Sequence, residues 1–163
     1  MPEHLFHVTF EPLSLDDVVA VAHCIALDAT VFPYPSASFG FRDAAARAWV
    51  ARDRPEGPGR GAVLGFVAGH VRRRRIHIGG LAVDADCRRR GIGRALVGGL
   101  VEQARVEGMD AVALHVSVTN RAAIALYRAE GFIVQRRLVG FYPPAAYGGE
   151  PDAYEMTLPA REG

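Results

Sequence analysis

Leu81-Ala82-Val83-Asp84-Ala85-Asp86-Cys87-Arg88-Arg89-Arg90-Gly91-Ile92-Gly93-Arg94-Ala95-Leu96 is the stretch that decides the fold. An apolar strand ends at Val83, a charged turn follows, and the turn opens a long helix over residues 91–107. In that helix Ile92, Leu96, Leu100 and Ala104 recur every four residues, with Val97 and Val101 beside them, which is one buried helix face. Gly108 suits the left-handed stop. Gly91 and Gly93 carry no side chain to keep an anion off the backbone. Successive N–H groups there can point at one oxyanion, and the helix dipole favours negative charge at that end. Arg88, Arg89, Arg90 and Arg94 add positive charge, so the turn reads as a pyrophosphate site. It is not a Walker loop, because no Gly-Lys-Ser/Thr follows, and the third glycine of a dinucleotide fingerprint is missing. A glycine-containing helix start with solvated arginines would leave the same letters.

Either side of this unit, periodicity predicts the remaining elements. Residues 7–12 read as an opening strand. Residues 15–29 read as a helix with Ser14 as N-cap and Asp16 and Asp17 in its first turn, where the dipole favours them. Residues 41–52 read as a second helix, carrying Trp49. Residues 62–72 and 76–83 read as strands joined by an arginine-rich hairpin tip. Residues 112–118 alternate as a strand does, residues 120–130 form a short helix closed by Gly131, and residues 132–138 and 154–158 are closing strands. This order predicts an α/β or α+β fold with a mixed sheet. The Gly/Pro-rich breaks at 55–61 and 142–151 are loops too short to be linkers, so one domain is expected over residues 1–163.

The bulk numbers agree. A chain of 163 residues buries roughly 70% of its unfolded surface as one domain and needs no staples. The formal net charge is +1, which argues for neither nucleic acid nor membrane. All 19 basic residues are arginine, so lysine chemistry is absent from any site. Cys24 and Cys87 are lone thiols without zinc spacing, as in a reduced, cytoplasmic protein. No stretch approaches the roughly 18 uncharged apolar residues of a membrane helix, and Met1-Pro2-Glu3-His4 does not read as a secretory leader. Arg72-Arg73-Arg74-Arg75 invites a nucleic-acid reading, but no aromatic stacking platform accompanies it, and a solvated hairpin tip is the plainer one.

Arg88-Arg89-Arg90-Gly91-Ile92-Gly93 resembles the Arg/Gln-x-x-Gly-x-Gly/Ala signature of GCN5-related N-acetyltransferases (GNAT). Downstream, the segment from Leu114 through Asn120, Leu126-Tyr127 and Gly131-Phe132 resembles that family's second signature. The two occur in the right order and spacing, and the likeness is clear from about residue 76 to 158. It is nearest to the N-alpha acetyltransferases, both the bacterial ribosomal-protein alanine enzymes and the eukaryotic N-terminal ones. The resemblance implies a mixed, mostly antiparallel twisted sheet flanked by helices, and acetyl-CoA as donor. It implies that the turn from Arg88 to Arg94 holds the pyrophosphate of coenzyme A. The backbone of Leu81, Ala82 and Val83 would pair with the pantetheine arm, and a bulge in that strand would present an oxyanion donor.

Acyl transfer to an amine needs a base for the amine, donors for the oxyanion and a proton for the departing thiolate. The resemblance makes Tyr127 that acid, though a core tyrosine would sit at the same spacing. Asn120 suits a helix N-cap and, by resemblance, a contact to the cofactor arm. In residues 112–118 the even positions are apolar, and His115 stands on the other face. Histidine at this position serves as base in some relatives, and glutamate does in others. His77 lies where some relatives place a tyrosine, which leaves two histidines as candidate active-site groups. An α-amino group, pKa near 8, is about one-tenth deprotonated at neutral pH, whereas lysine, near 10.4, offers about one part in a few thousand. A histidine base therefore favours N-termini.

The resemblance also assigns Phe32, Pro33 and Tyr34 to a loop gripping the first peptide residues, although a plain helix–helix connector reads almost as well. Tyr142, after Phe141, falls in a hairpin that lies over the peptide. The expected activity is direct acetyl transfer from acetyl-CoA to a protein or peptide N-terminus. Neither nucleic acid, membrane nor metal is expected to take part, and the protein would act as monomer or homodimer. Acetylation of a small amine such as an antibiotic or polyamine, or a non-catalytic coenzyme A-binding module, are the alternatives.

Overall fold

The computed structural model describes residues 7–31, 44–54, 58–143 and 146–161. Seven strands form one sheet in the order β1-β2-β3-β4-β5-β7-β6. They are β1 (Val8–Pro12), β2 (Ala46–Asp53), β3 (Val63–Arg72), β4 (Arg75–Val83), β5 (Ala111–Ser117), β6 (Ile133–Leu138) and β7 (Ala153–Pro159). The helices are α1 (Val18–Val31), α2 (Ile92–Val106) and α3 (Arg121–Ala129). All strand pairs are antiparallel except β4–β5, the parallel pair bridged by α2. A parallel pair needs such a crossover, and this one places a helix N-terminus beside the end of β4. No described helix is long and apolar enough to cross a membrane.

Alternate strand residues feed two buried clusters. One joins Ala20 and Cys24 of α1 to Ala48, Val50, Phe66, Ala68 and Ala82. The other joins the apolar face of α2 to Ala51, Val67, Ile76, Ile78, Val112, Leu114, Val116 and Met156. The predicted face of α2 is confirmed: Ile92, Leu96, Val97, Leu100, Val101 and Ala104 are all buried.

Residues 46–53 are a strand, where a helix was expected over 41–52. The stretch is rich in Ala and Arg, both strong helix formers. It lies inside the sheet between β1 and β3, with both faces covered, and such a strand loses its polar–apolar alternation. Trp49 packs on α2 at Gly99, where a Cβ would come within 3.0 Å of the indole, and its Nε1 donates to Gln103 Oε1 at 2.7 Å. The first helix begins at Val18 rather than residue 15, and its cap is Asp17, not Ser14: Asp17 Oδ1 accepts from the Ala20 N–H at 3.1 Å. Asp17 also takes Arg52, whose buried guanidinium reaches Glu11 and Asp17 together. The Ala20 N–H and the Arg52 and Arg60 charges hold the Asp17 carboxyl below its ordinary range against the opposing effect of burial.

A β-bulge sits in β4. Ala68 pairs with Gly80 and Gly69 with Ile78, so Gly79 is the extra residue. This corrects the expectation of a bulge within residues 81–83. The bulge resets the alternation: Ile76 and Ile78 face the α2 cluster, and after Gly79 it is Leu81 and Val83 that pack there. The β3–β4 tip is a two-residue turn with Arg72 opposite Arg75. Its central residues, Arg73 (φ 48°) and Arg74 (φ 58°), are both left-handed. That conformation costs a side-chain-bearing residue roughly 1–2 kcal/mol.

Candidate active site

β4 and β5 pair only as far as Ile78↔Leu114. Beyond that point β4 continues against β3 and β5 continues against β7, with no pairing between them. The strands part at the bulge, and the β4 edge over residues 79–83 keeps backbone groups free of a sheet partner on the β5 side. Two hollows meet in this gap and share Val31, Leu81, Asn120 and Ala123 in their walls.

The outer hollow is a groove of about 530 Å³ between the end of β4, the start of α2 and α3. It gathers Leu81, Ala82, Val83, Arg88, Arg89, Gly91, Ile92, Gly93, Arg94 and Asn120. Asp84 shapes the approach, its carboxylate accepting from the Asp86 N–H at 2.9 Å. Arg89 (φ 64°) and Gly91 (φ 79°) then turn the chain through left-handed conformations into the helix. The first bond of α2 runs from Ala95 N–H to the Gly91 carbonyl. The N–H groups of Ile92, Gly93 and Arg94 precede it and have no intrahelical acceptor. A Cβ on Gly93 would meet Leu126 at 3.1 Å, so glycine keeps α3 close to the groove floor. Among the described residues no carboxylate pairs with Arg88 or Arg89, whereas Arg94 is held by Glu130. Arg90 is exposed beside the groove and outside its lining.

A free β edge, a glycine floor and a positive helix start suit an extended ligand with a diphosphate at one end. Coenzyme A has that shape and charge, so the residues fit it. Cys87 also lines the groove, but burial raises its pKa and disfavours the thiolate.

The inner hollow, about 110 Å³, lies where the strands diverge, between Gly79, Gly80, Leu114, Tyr127, His115 and Tyr142. Tyr127 projects from α3, packs edge-on against Phe132, and is 6% exposed. Burial, with a smaller effect from Tyr142, pushes its pKa well above the ordinary value, so the hydroxyl keeps its proton. His115 stands on β5 with its side chain 37% exposed. The predicted split of that strand holds for His115 alone: Ala113 and Ser117, on the same face, are buried. Asn120 caps α3, its Oδ1 accepting from the Ala123 N–H at 3.2 Å, and lines both hollows.

Of the predicted acceptor-side residues, Tyr142 lines the inner hollow, where burial pushes its pKa up to about 12. His77 does not line it. It stacks on His70 with ring centroids 5.8 Å apart and opens into a separate cleft with Arg72, Arg73, Arg75 and Asp110. Burial, then the neighbouring charges of His70 and His115, lowers the pKa of His77. Phe32, Pro33 and Tyr34 lie outside the described residues.

Sequence reasoning missed Glu155 and Tyr147 here, and placed Phe141 only in the hairpin over the peptide. Glu155 lies opposite His115 on β7, with its carboxylate 3.4 Å from His115 Nε2 and 3.0 Å from Arg136. The Arg136 bond, aided by His115, holds this carboxyl below its ordinary pKa against burial. Phe141 lies against the His115 ring at 4.6 Å. Tyr147 packs on Tyr142 at 4.6 Å, completing an aromatic wall from His115 to the far side of the hollow. The alternation of residues 153–159 could have flagged Glu155 as an in-sheet charge; nothing in the letters gives its partner. Among the described residues no cluster of three or more His, Cys, Asp or Glu is placed to hold a metal ion.

The profile of the acetyltransferase (GNAT) family matches residues 17–132. The chain is 40% identical over 79 residues to the ribosomal protein bS18 alanine N-acetyltransferase of Salmonella typhimurium, covering 48% of this chain and 52% of that one. The chain thus spans about half the length of that curated relative. It superposes on the crystal structure of Arabidopsis thaliana NAA60 in complex with a bisubstrate analogue, with a TM-score of 0.79, 25% identity and 93% and 97% of the two chains covered. It superposes nearly as well on nourseothricin acetyltransferase, with a TM-score of 0.73, 25% identity and 95% and 99% covered. The fold is therefore shared by enzymes with unlike acceptors. The open β4 edge, the glycine turn and the profile match agree: the chain belongs to the GNAT acetyltransferase family, whose enzymes use acetyl-CoA.

Proposed function

We propose that the protein transfers acetyl from acetyl-CoA directly to the α-amino group of a protein or peptide. The observation that carries this reading is the inner hollow. It opens to the cofactor groove on one side and to an aromatic wall beside His115 on the other. Donor and acceptor can thus approach the strand gap from opposite sides, and bringing them together there is most of what such a reaction requires.

Leu81, Ala82 and Val83 would hold the extended arm of the donor. The helix start at Ile92, Gly93 and Arg94, with Arg88 and Arg89, would hold its diphosphate. The bound donor supplies an acetyl group activated as a thioester. The chain's own groups supply the proton movements. An imidazole that donates Nε2–H to Glu155 keeps its Nδ1 lone pair for the proton lost by the amine. Glu155, kept ionised by Arg136, fixes that tautomer. The Tyr127 hydroxyl, protonated by virtue of its burial, gives a proton to the leaving sulfur. Backbone N–H groups on the free β4 edge beside Gly79 are the donors available to the oxyanion. Tyr142 and Tyr147 form the wall that the first peptide residues pass. No cysteine lines the inner hollow, so transfer is direct.

The test is thiol release from acetyl-CoA against three sets of acceptors: peptides with free N-termini, N-terminally blocked peptides with an internal lysine, and small amines. Because the enzyme contains no lysine, labelling of its own side-chain amines does not confuse the assay. Turnover on free N-termini and not on blocked peptides is expected. Turnover on small amines alone would overturn the acceptor assignment.

A further inference from the structure

The β3–β4 hairpin tip carries four consecutive arginines, all exposed. Arg74 is tied down: its guanidinium donates to the Gly108 carbonyl at 2.6 Å and reaches Asp110 at 3.5 Å. Arg72, Arg73 and Arg75 have no carboxylate within ion-pair distance among the described residues, and they line an open cleft of about 550 Å³ with His77 and Asp110. The one acid in that cleft, Asp110, is already shared by Arg74 and by Arg161 at 3.2 Å. Three guanidiniums therefore face the cleft without a counter-charge.

The turn itself is unusual. Both central positions are left-handed, the conformation for which Asn-Gly is the common choice, and here both are arginine. Backbone strain of this kind persists only where the surrounding structure holds it, and here Arg74 is anchored on the Gly108 carbonyl and Asp110 while Arg73 has no such tie to a carboxylate.

The cleft is placed to meet an acceptor. Arg75 pairs with Ala111, and His115 lies four residues further along β5. At about 3.3 Å per residue the two are about 13 Å apart along the sheet, so an extended acceptor with its amine at His115 comes level with Arg75 near its fourth to sixth residue. His77 opens into the cleft from the same strand, two residues before the bulge at Gly79.

We propose that this cleft binds carboxylate side chains of the acceptor polypeptide, about four to six residues beyond its amine. The inference rests on the polypeptide-acceptor reading above. An RNA ligand fits less well: the chain's net charge is only +1, and no aromatic side chain stands among the four arginines to stack a base.

The test compares peptides identical except that the fourth to sixth positions are all Glu or all Gln. The wild type is set against a variant carrying Arg72→Gln, Arg73→Asn and Arg75→Gln. Arg74 stays on Asp110, and asparagine tolerates the left-handed turn, so the variant keeps its hairpin and its Tm. For the wild type, kcat/KM is expected to be roughly 3- to 10-fold higher on the Glu peptide, through KM, and the preference shrinks with added salt. In the variant the two peptides become equal and the Gln peptide is unaffected. Equal turnover of both peptides by the wild type, or a preference that survives in the variant, overturns the cleft and leaves N-terminal acetylation standing. Fluorescence anisotropy of a labelled Glu peptide, with coenzyme A present, reads the cleft without chemistry. Binding that weakens in the variant, with no turnover of any peptide, keeps the carboxylate cleft and removes the N-terminal acceptor. A labelled single-stranded RNA that binds the wild type more tightly than the Glu peptide, and is lost in the variant, overturns the proposal in favour of nucleic acid.

Discussion

β4 has an arginine run at each end, and the two runs are alike in letters but not in structure. Arg72–Arg75 close a hairpin, where the backbone groups of flanking strands are already paired and only side chains are offered to a ligand. Arg88–Arg90 precede a helix start, where unpaired N–H groups, a dipole and two glycines stand behind the side chains. Both runs contain left-handed arginines. The hairpin can discriminate only by charge, at solvent-screened strength. The turn can hold a diphosphate in one place, because its donors belong to the backbone and do not move. A charge run is therefore informative only with the backbone beneath it. Arg52 marks a third case: it is buried and satisfied by Glu11 and Asp17, a structural cation.

The comparison requires that both ends bind and neither performs chemistry. Tyr127→Phe provides the reference: kcat should fall about 10²- to 10⁴-fold with the KM for acetyl-CoA little changed. A change confined to KM would move Tyr127 to the binding side. The structural cation should behave as neither end does. Arg52→Met is expected to cost about 1–2 kcal/mol by denaturant unfolding, because it removes the buried cation from Glu11 and Asp17 and leaves them only the exposed Arg60. The pH profile carries the same information. The folded-state pKa of Asp17 is depressed, so its contribution is present above its unfolded pKa, near 3.9, and is lost as pH falls through the folded value. Wild-type stability should therefore fall below about pH 4, and less steeply in Arg52→Met. An unchanged slope would show that the Ala20 cap bond and Arg60 suffice to hold Asp17 ionised.

Much of this was legible in the letters, for reasons that can be named. The β4–turn–α2 unit is local: a strand end, two glycines and a four-residue apolar period specify it without reference to distant residues. Asn120 and Gly131 bracket α3 by cap chemistry that acts over a few positions. What escaped depends on pairing. Residues 46–53 became a strand because β1 and β3 flank them, which overrides the helix preference of Ala and Arg. The bulge at Gly79 is a statement about the register of β3, and an isolated glycine pair in a strand does not reveal it. Glu155 is meaningful only because Ala111↔Pro159 sets a register that brings it opposite His115. In the candidate site, the groove residues were readable and the second rank behind the histidine was not.

The turn end can be broken sterically. Gly93→Val would drive a branched side chain toward Leu126, already at 3.1 Å from a bare Cβ, and into the groove floor. The KM for acetyl-CoA should rise roughly 10- to 100-fold, as expected for a loss of about 1.4–2.8 kcal/mol in binding. The acceptor KM and the Glu-over-Gln peptide preference should stay as they are. A matching loss of that preference would mean the two ends are coupled through β4 rather than independent.

The finest test sets equal strain against unequal function. Arg73 (φ 48°) and Arg89 (φ 64°) sit in the same left-handed region, one at each end of β4. Glycine relieves the roughly 1–2 kcal/mol of steric cost at either position, less the 0.5–1 kcal/mol of chain entropy that glycine adds. Arg73→Gly and Arg89→Gly should each raise stability by about 0.5 kcal/mol, a shift of roughly 1–2 °C in Tm. Their kinetics should part: Arg89→Gly raises the KM for acetyl-CoA about 3-fold, since it removes one screened guanidinium from the groove wall, and Arg73→Gly leaves it unchanged. If both variants gained stability and neither altered that KM, the side chains at the turn would be as solvated as those at the tip. The diphosphate would then be held by the backbone of Ile92, Gly93 and Arg94 alone.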